Sequence, residues 1–183
     1  MASTTSKIVT YEEWLGMPET KAKEEVFDGE IITMPPAKWK HTLIVHQLQM
    51  ILVRQMDFKE VMVVTTVFGL VIRQAPLTCF EPDLAVFIRR NIVEQDGYIQ
   101  SAPELVVEVL SPSNIPKRIA RKTRDYESIG VPELWILSPE DRTIEVLRLQ
   151  DGKLHTTQIV NEGQLHPLRF PETVVDVAAV WPD

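Results

Sequence analysis

Two runs, DLAVFI at 83–88 and ELVVEVL at 104–110, restrict most tightly what this chain can become. Both are almost continuously apolar. Such runs belong to strands covered on both faces, as at the centre of a sheet sandwiched between other layers. Each run nevertheless carries an acid: Asp83 opens the first, and Glu108 sits among Leu105, Val106, Val107, Val109 and Leu110 in the second. An ionised carboxylate in a buried strand costs several kcal/mol unless something compensates it. For two such acids a divalent cation is the most economical compensation.

The flanking chain supplies both strands and helices. Thr10 and Glu13 have capping-box spacing, which predicts a short helix over 10–15 ended by Met17-Pro18. The charged stretch from Lys21 to Glu25 reads as a further helical turn. EVFDGEIITM reads as a strand pair turned at Asp28-Gly29. After Pro35-Pro36 a helix is predicted from about Lys38 to Gln55, with Leu43, Ile44, Leu48, Ile51 and Leu52 as its apolar stripe. Val61 to Arg73 is rich in strand formers.

Beyond the second acidic strand, closed by Ser111-Pro112-Ser113, a helix is predicted from about Lys117. It carries Ile119, Lys122, Tyr126 and Ile129 at intervals of three and four, and Gly130 ends it. A strand at Glu133–Leu137 and a hairpin turned at Asp151-Gly152 follow, and the tail VVDVAAVW packs as a short strand or turn. Neither an internal repeat nor a linker divides the chain. The reading is one domain over 1–183, of α/β or α+β class, built on a central mixed sheet flanked by helices.

Composition narrows the class. With 44% hydrophobic and 25% charged residues, the 183-residue chain is ordinary for a soluble globular protein. No apolar run approaches the roughly 20 residues that span a bilayer, and MASTTSKIVTYEEW lacks a secretory core, so a cytoplasmic protein without membrane association is expected. The single cysteine, Cys79, leaves no internal disulfide and no Cys-based zinc cluster. A formal net charge of -7 is the wrong sign for a typical non-specific DNA binder, although acids that hold cations account for part of it.

Asp83, Glu108 and Lys122 are the residue types that phosphodiester hydrolysis needs: carboxylates for a metal, and a lysine to orient water or offset charge. Each also has a plain structural reading. Asp83 follows Pro82 and can cap a turn. Glu108 can pair with an arginine. Lys122 can run its stem along the core. Glu25 is a third acid, otherwise a surface glutamate. His41 reads as a packed or capping histidine, with His46 on a different helix face. Lys117, Arg118, Arg121, Lys122 and Arg124 form either a phosphate-facing surface or a solvated helix face diluted by Asp125 and Glu127. Ser111 and Ser113 lack the context of a serine hydrolase, and neither a dinucleotide fingerprint nor a phosphate loop is present.

Together, EVFDGEIITMPP with His41 beyond it, EPDLAVF, PELVVEVLSPSN and KTRDYESIGVPELWILSP resemble a large bacterial group of restriction-endonuclease-like proteins. That group is expanded in cyanobacteria and lies within the PD-(D/E)XK nuclease superfamily. The resemblance covers about Glu25 to Pro139. It implies a mixed sheet flanked by helices with the active site at one edge, Asp83 and Glu108 as metal ligands, and Glu25 as an auxiliary ligand. The superfamily's lysine stands two positions after the second acid, where this chain has Leu110; Lys122 matches the relocated lysine of the group. Arg118 departs from the aspartate common in the group four residues before that lysine.

The resulting expectation is a Mg²⁺-dependent, or Mn²⁺-dependent, DNA endonuclease. Asp83, Glu108 and Lys122 would be catalytic, with Glu25, Asp83 and Glu108 on the metal, in a homodimer. The rival is a nucleic-acid-binding or protein-interaction module that keeps the fold without turnover.

Overall fold

The computed structural model describes residues 8–18, 22–65, 68–111 and 116–182. In chain order its elements are α1 (Tyr11–Leu15), β1 (Glu24–Phe27), β2 (Glu30–Thr33), α2 (Trp39–Val53), β3 (Val61–Thr65), β4 (Leu70–Gln74), β5 (Leu77–Phe80), β6 (Leu84–Ile88), β7 (Glu94–Gln95), β8 (Tyr98–Ile99), β9 (Leu105–Val109), α3 (Pro116–Ser128), β10 (Glu133–Ser138), β11 (Thr143–Gln150), β12 (Lys153–Val160), β13 (Gln164–Leu165) and β14 (Val175–Asp176). One-turn 3-10 segments follow β6 and β14.

The two acidic strands lie side by side in the interior of a six-stranded sheet ordered β12-β11-β10-β9-β6-β3. β9 and β10 run parallel, and the other pairs are antiparallel. Side chains alternate across β9 with the two-residue period of a strand. Leu105, Val107 and Val109 join Ile44, Leu48 and Leu52 of α2 on one face. Val106 joins Phe80, Tyr126 and Leu134 on the other, and Glu108 shares that parity. Both faces of β9 are therefore covered, which is why its sequence is apolar throughout and why its one acid needs a partner.

That other face is covered by α3 and by a second six-stranded sheet, ordered β2-β1-β5-β4-β8-β7. The outer side of the second sheet, with Val26, Val71, Leu77 and Cys79, is closed by Val9 and Tyr11 at the N-terminal segment. The fold is thus α+β, a mixed sheet flanked by helices as the sequence predicts, with a second sheet added beside α3. Among the described residues no helix is long and apolar enough to cross a membrane.

Local signals held at most elements. α1 has the Thr10–Glu13 capping box in both directions. β1 and β2 form a hairpin whose turn residues, Asp28 and Gly29, have φ of 50° and 83°. β11 and β12 form the second hairpin through Asp151 and Gly152. Two readings need correction. Lys21 lies outside the described residues, and Glu24 and Glu25 belong to β1, because pairing with β2 outweighs the helical preference of a short charged run. In α2 the buried stripe includes Val45 in place of Leu43, which is only half-buried.

Candidate active site

Strand register brings the acids together. Leu84 of β6 pairs with Val107 of β9, so the next residues outward, Asp83 and Glu108, meet at one end of two central strands. Glu25 comes from β1 of the second sheet, on the same side of that strand as Phe27, which packs into the core between the two sheets. Lys122 comes from α3, one turn ahead of Tyr126, so both reach the same point. Glu25, Asp83, Glu108 and Lys122 are all buried, at 1%, 5%, 5% and 4% exposure.

The lysine lies between two carboxylates. Lys122 Nζ is 2.7 Å from Glu25 Oε1 and 2.5 Å from Glu108 Oε1. The Tyr126 hydroxyl donates to the same Glu108 oxygen at 2.5 Å. The ammonium also sits 5.3 Å from the centre of the Phe80 ring. Asp83 has a different set of partners. Its Oδ1 accepts from Lys23 Nζ at 2.9 Å, and its Oδ2 accepts from the Val109 amide at 2.9 Å and lies 3.1 Å from His41 Nε2.

These contacts divide the acids electrostatically. Burial raises the Asp83 pKa, but the His41 hydrogen bond and the charges of Lys23, His41 and Lys122 outweigh it, and the carboxyl is held well below the usual range. Burial pushes Glu108 up; Lys122 opposes this, while Asp83 and Glu25 add to it. For Lys122, burial favours the neutral amine, yet Glu108, Glu25 and Asp83 more than reverse it and keep the ammonium charged. The Tyr126 phenol, buried and beside Glu108, is raised well above its ordinary value.

All four residues singled out in the sequence therefore converge. Three others around them were not. The sequence presents His41 as a packed or capping histidine, whereas in the structure it faces Asp83. Tyr126 shares the helical spacing of Lys122 in the sequence, and that spacing does not disclose that its hydroxyl meets Glu108. Lys23 precedes Glu25 by two residues, and period-two alternation is the signal that would have pointed it towards the acids. Among the described residues, no three His, Cys, Asp or Glu side chains are grouped so that they alone could surround a metal ion. Cationic groups stand among the acids instead.

Buried acids and a lysine at the end of central strands in a mixed α+β sheet define a restriction-endonuclease-like protein. The chain belongs to the Uma2 family, described as "Putative restriction endonuclease", whose profile matches residues 9–178. Its fold is similar to a crystal structure titled as a putative nuclease belonging to DUF820 from Anabaena variabilis, with a TM-score of 0.78 and 22% identity. That match covers 94% of this chain and 97% of the other. No curated protein matches. The family and fold together support a nuclease-like function.

Proposed function

We propose that the protein is a metal-dependent endonuclease acting on DNA. The observation that carries this reading is the convergence of Glu25, Asp83, Glu108 and Lys122, from four elements of two sheets and a helix, at one buried point. A fold needs no such cluster for stability. Buried ion pairs rarely stabilise more than apolar replacements of similar volume do.

The donor chemistry suits Mg²⁺ or Mn²⁺, which take oxygen ligands. Glu25, Asp83 and Glu108 would hold the ion once the Lys122 ammonium, which stands between Glu25 and Glu108, moves aside. One feature of the site favours a cation directly: Glu25 Oε2 is buried and has no hydrogen-bond partner among the described residues. When bound, the ion supplies Lewis acidity towards the phosphate and lowers the pKa of water. The chain's own residues do the rest. Lys122 carries a charge that orients water or offsets the charge developing on the phosphate oxygens. Tyr126 fixes the Glu108 carboxylate, and Lys23 and His41 fix that of Asp83.

Cutting both strands of a duplex calls for two sites. A homodimer is part of this reading, with β12, one of the two edge strands of the first sheet, as a surface for pairing.

A second reading has its own observation. Every one of the three acids already has a cationic neighbour, Lys122 for Glu25 and Glu108 and Lys23 for Asp83, which also meets the His41 ring. A module that retains the fold without turnover would look the same. Cleavage of supercoiled plasmid and of single strands separates the two. Wild type in Mg²⁺ or Mn²⁺ should cut, and Glu108→Ala and Lys122→Ala should lose at least about a hundredfold in rate, as when a charge-stabilising group is removed. Melting curves separate lost chemistry from lost fold. Cutting that survives Glu108→Ala would overturn the assignment.

A further inference from the structure

Beside the acid cluster lies a groove of about 310 Å³ between the β1–β2 hairpin and the first turns of α3. Phe27, Glu30, Ile32, Lys117, Arg118 and Arg121 line it. It adjoins the site on both sides. Ile32 is the register partner of Glu25, and Arg118 stands one helical turn before Lys122. Its three cations face a single lining acid, the exposed Glu30.

The three cations are not equivalent. Arg121 is committed to Asp28 at 2.6 Å and to Asp125 at 3.4 Å, and it covers the Phe27 ring at 5.7 Å. Those contacts tie α3 to the hairpin and raise the Arg121 pKa, chiefly through the Asp28 hydrogen bond. Arg118 is half-buried, and its contact is the Met34 sulfur at 3.4 Å, a weak acceptor for a guanidinium. Lys117 is exposed, and neither Lys117 nor Arg118 has a carboxylate partner among the described residues. This stands out in an acidic chain of net charge -7, where acids are plentiful. Two uncommitted cations above an apolar floor of Phe27 and Ile32 suit a ligand with anionic groups along a less polar frame.

We infer that this groove binds the sugar-phosphate backbone of a DNA strand next to the phosphodiester presented to Glu108 and Lys122, with Lys117 and Arg118 on successive phosphates. The inference rests on the nuclease reading for the identity of the ligand. Arg118 and Lys117 are positioning residues; they set where the strand enters and take no part in bond breaking.

The test is anisotropy of fluorescein-labelled duplex and single-stranded DNA in EDTA, where no cutting interferes. The Lys117→Ala/Arg118→Ala double variant should bind about tenfold more weakly. Its log-affinity against log-salt slope on duplex should be shallower by about 1.8, two phosphate contacts' worth. Arg124→Ala removes the same kind of charge from an exposed position on α3 outside the groove, and should stay within about twofold of wild type. Arg118→Lys keeps the charge and should retain most of the binding.

Equal losses in the double variant and Arg124→Ala would overturn the groove, as would unchanged binding in the double variant or no binding by wild type. Cleavage separates the two claims. A wild type that cuts, with a double variant that binds and cuts as well, defeats the groove and leaves the nuclease. A wild type that never cuts, but loses DNA binding in the double variant, defeats the nuclease and supports the groove.

Discussion

Among the residues of the candidate site, Glu108 depends most on its neighbours. Its carboxylate is buried in a strand with apolar residues on either side, and it is held by the Lys122 ammonium and the Tyr126 hydroxyl on one oxygen. Tyr126→Phe keeps the ring packing against Phe80, 5.7 Å between centres, and removes only the hydroxyl. A hydrogen bond to a charged group contributes about 1.5–3 kcal/mol, so urea unfolding should show a loss in that range. A change below about 0.5 kcal/mol would mean that Lys122 alone satisfies the carboxylate. Asp83 and Glu108 were visible in the sequence because acids interrupt apolar strands. Tyr126 was not, because an aromatic at helical spacing signals core whether or not its hydroxyl has work to do. The contact of His41 was hidden for another reason: its partner Asp83 is 42 residues away, and no local pattern joins them.

At the level of elements, most of the fold was legible where a turn or cap has strict backbone demands. Gly130 closes α3 with φ of 79°, and Gly29 turns the first hairpin with φ of 83°. Both conformations disfavour a side chain, but their surroundings differ. A Cβ at Gly130 meets nothing within 4 Å, whereas one at Gly29 would lie 2.5 Å from the Ile8 side chain and 2.9 Å from the Val9 carbonyl. Gly130→Ala should therefore cost about 1–2 kcal/mol, the backbone penalty alone. Gly29→Ala should cost more, because the N-terminal segment that covers the outer sheet must also shift. Thermal melts of the two variants check the order; equal losses would show that the Ile8–Val9 segment yields freely. The strands that the sequence did not disclose are β5, β7, β8 and β13. Three of them are two residues long, too short for any periodicity. β5, LTCF, is buried at every position, so alternation is absent there too.

For the whole molecule, the second sheet was the part least accessible to a reading of sequence. Its strands come from 24–33, 70–80 and 94–99, and each is an ordinary strand by itself. What unites them is non-local pairing, such as Val26 with Cys79 and Leu70 with Ile99, which no local propensity encodes. That assembly matters for function, because it delivers Glu25 to acids held on the other sheet. α3, lying beside the second sheet, delivers Lys122 to the same place and borders the cationic groove. A metal-dependent nuclease requires that these carboxylates form a cation site and are not merely an ion-pair cluster. Calorimetric titration with Mn²⁺ tests this without requiring the right substrate. Wild type should show saturable binding that Asp83→Asn and Glu108→Gln each abolish while remaining folded. A wild type that takes up no ion, or variants that bind as well as wild type, would contradict it.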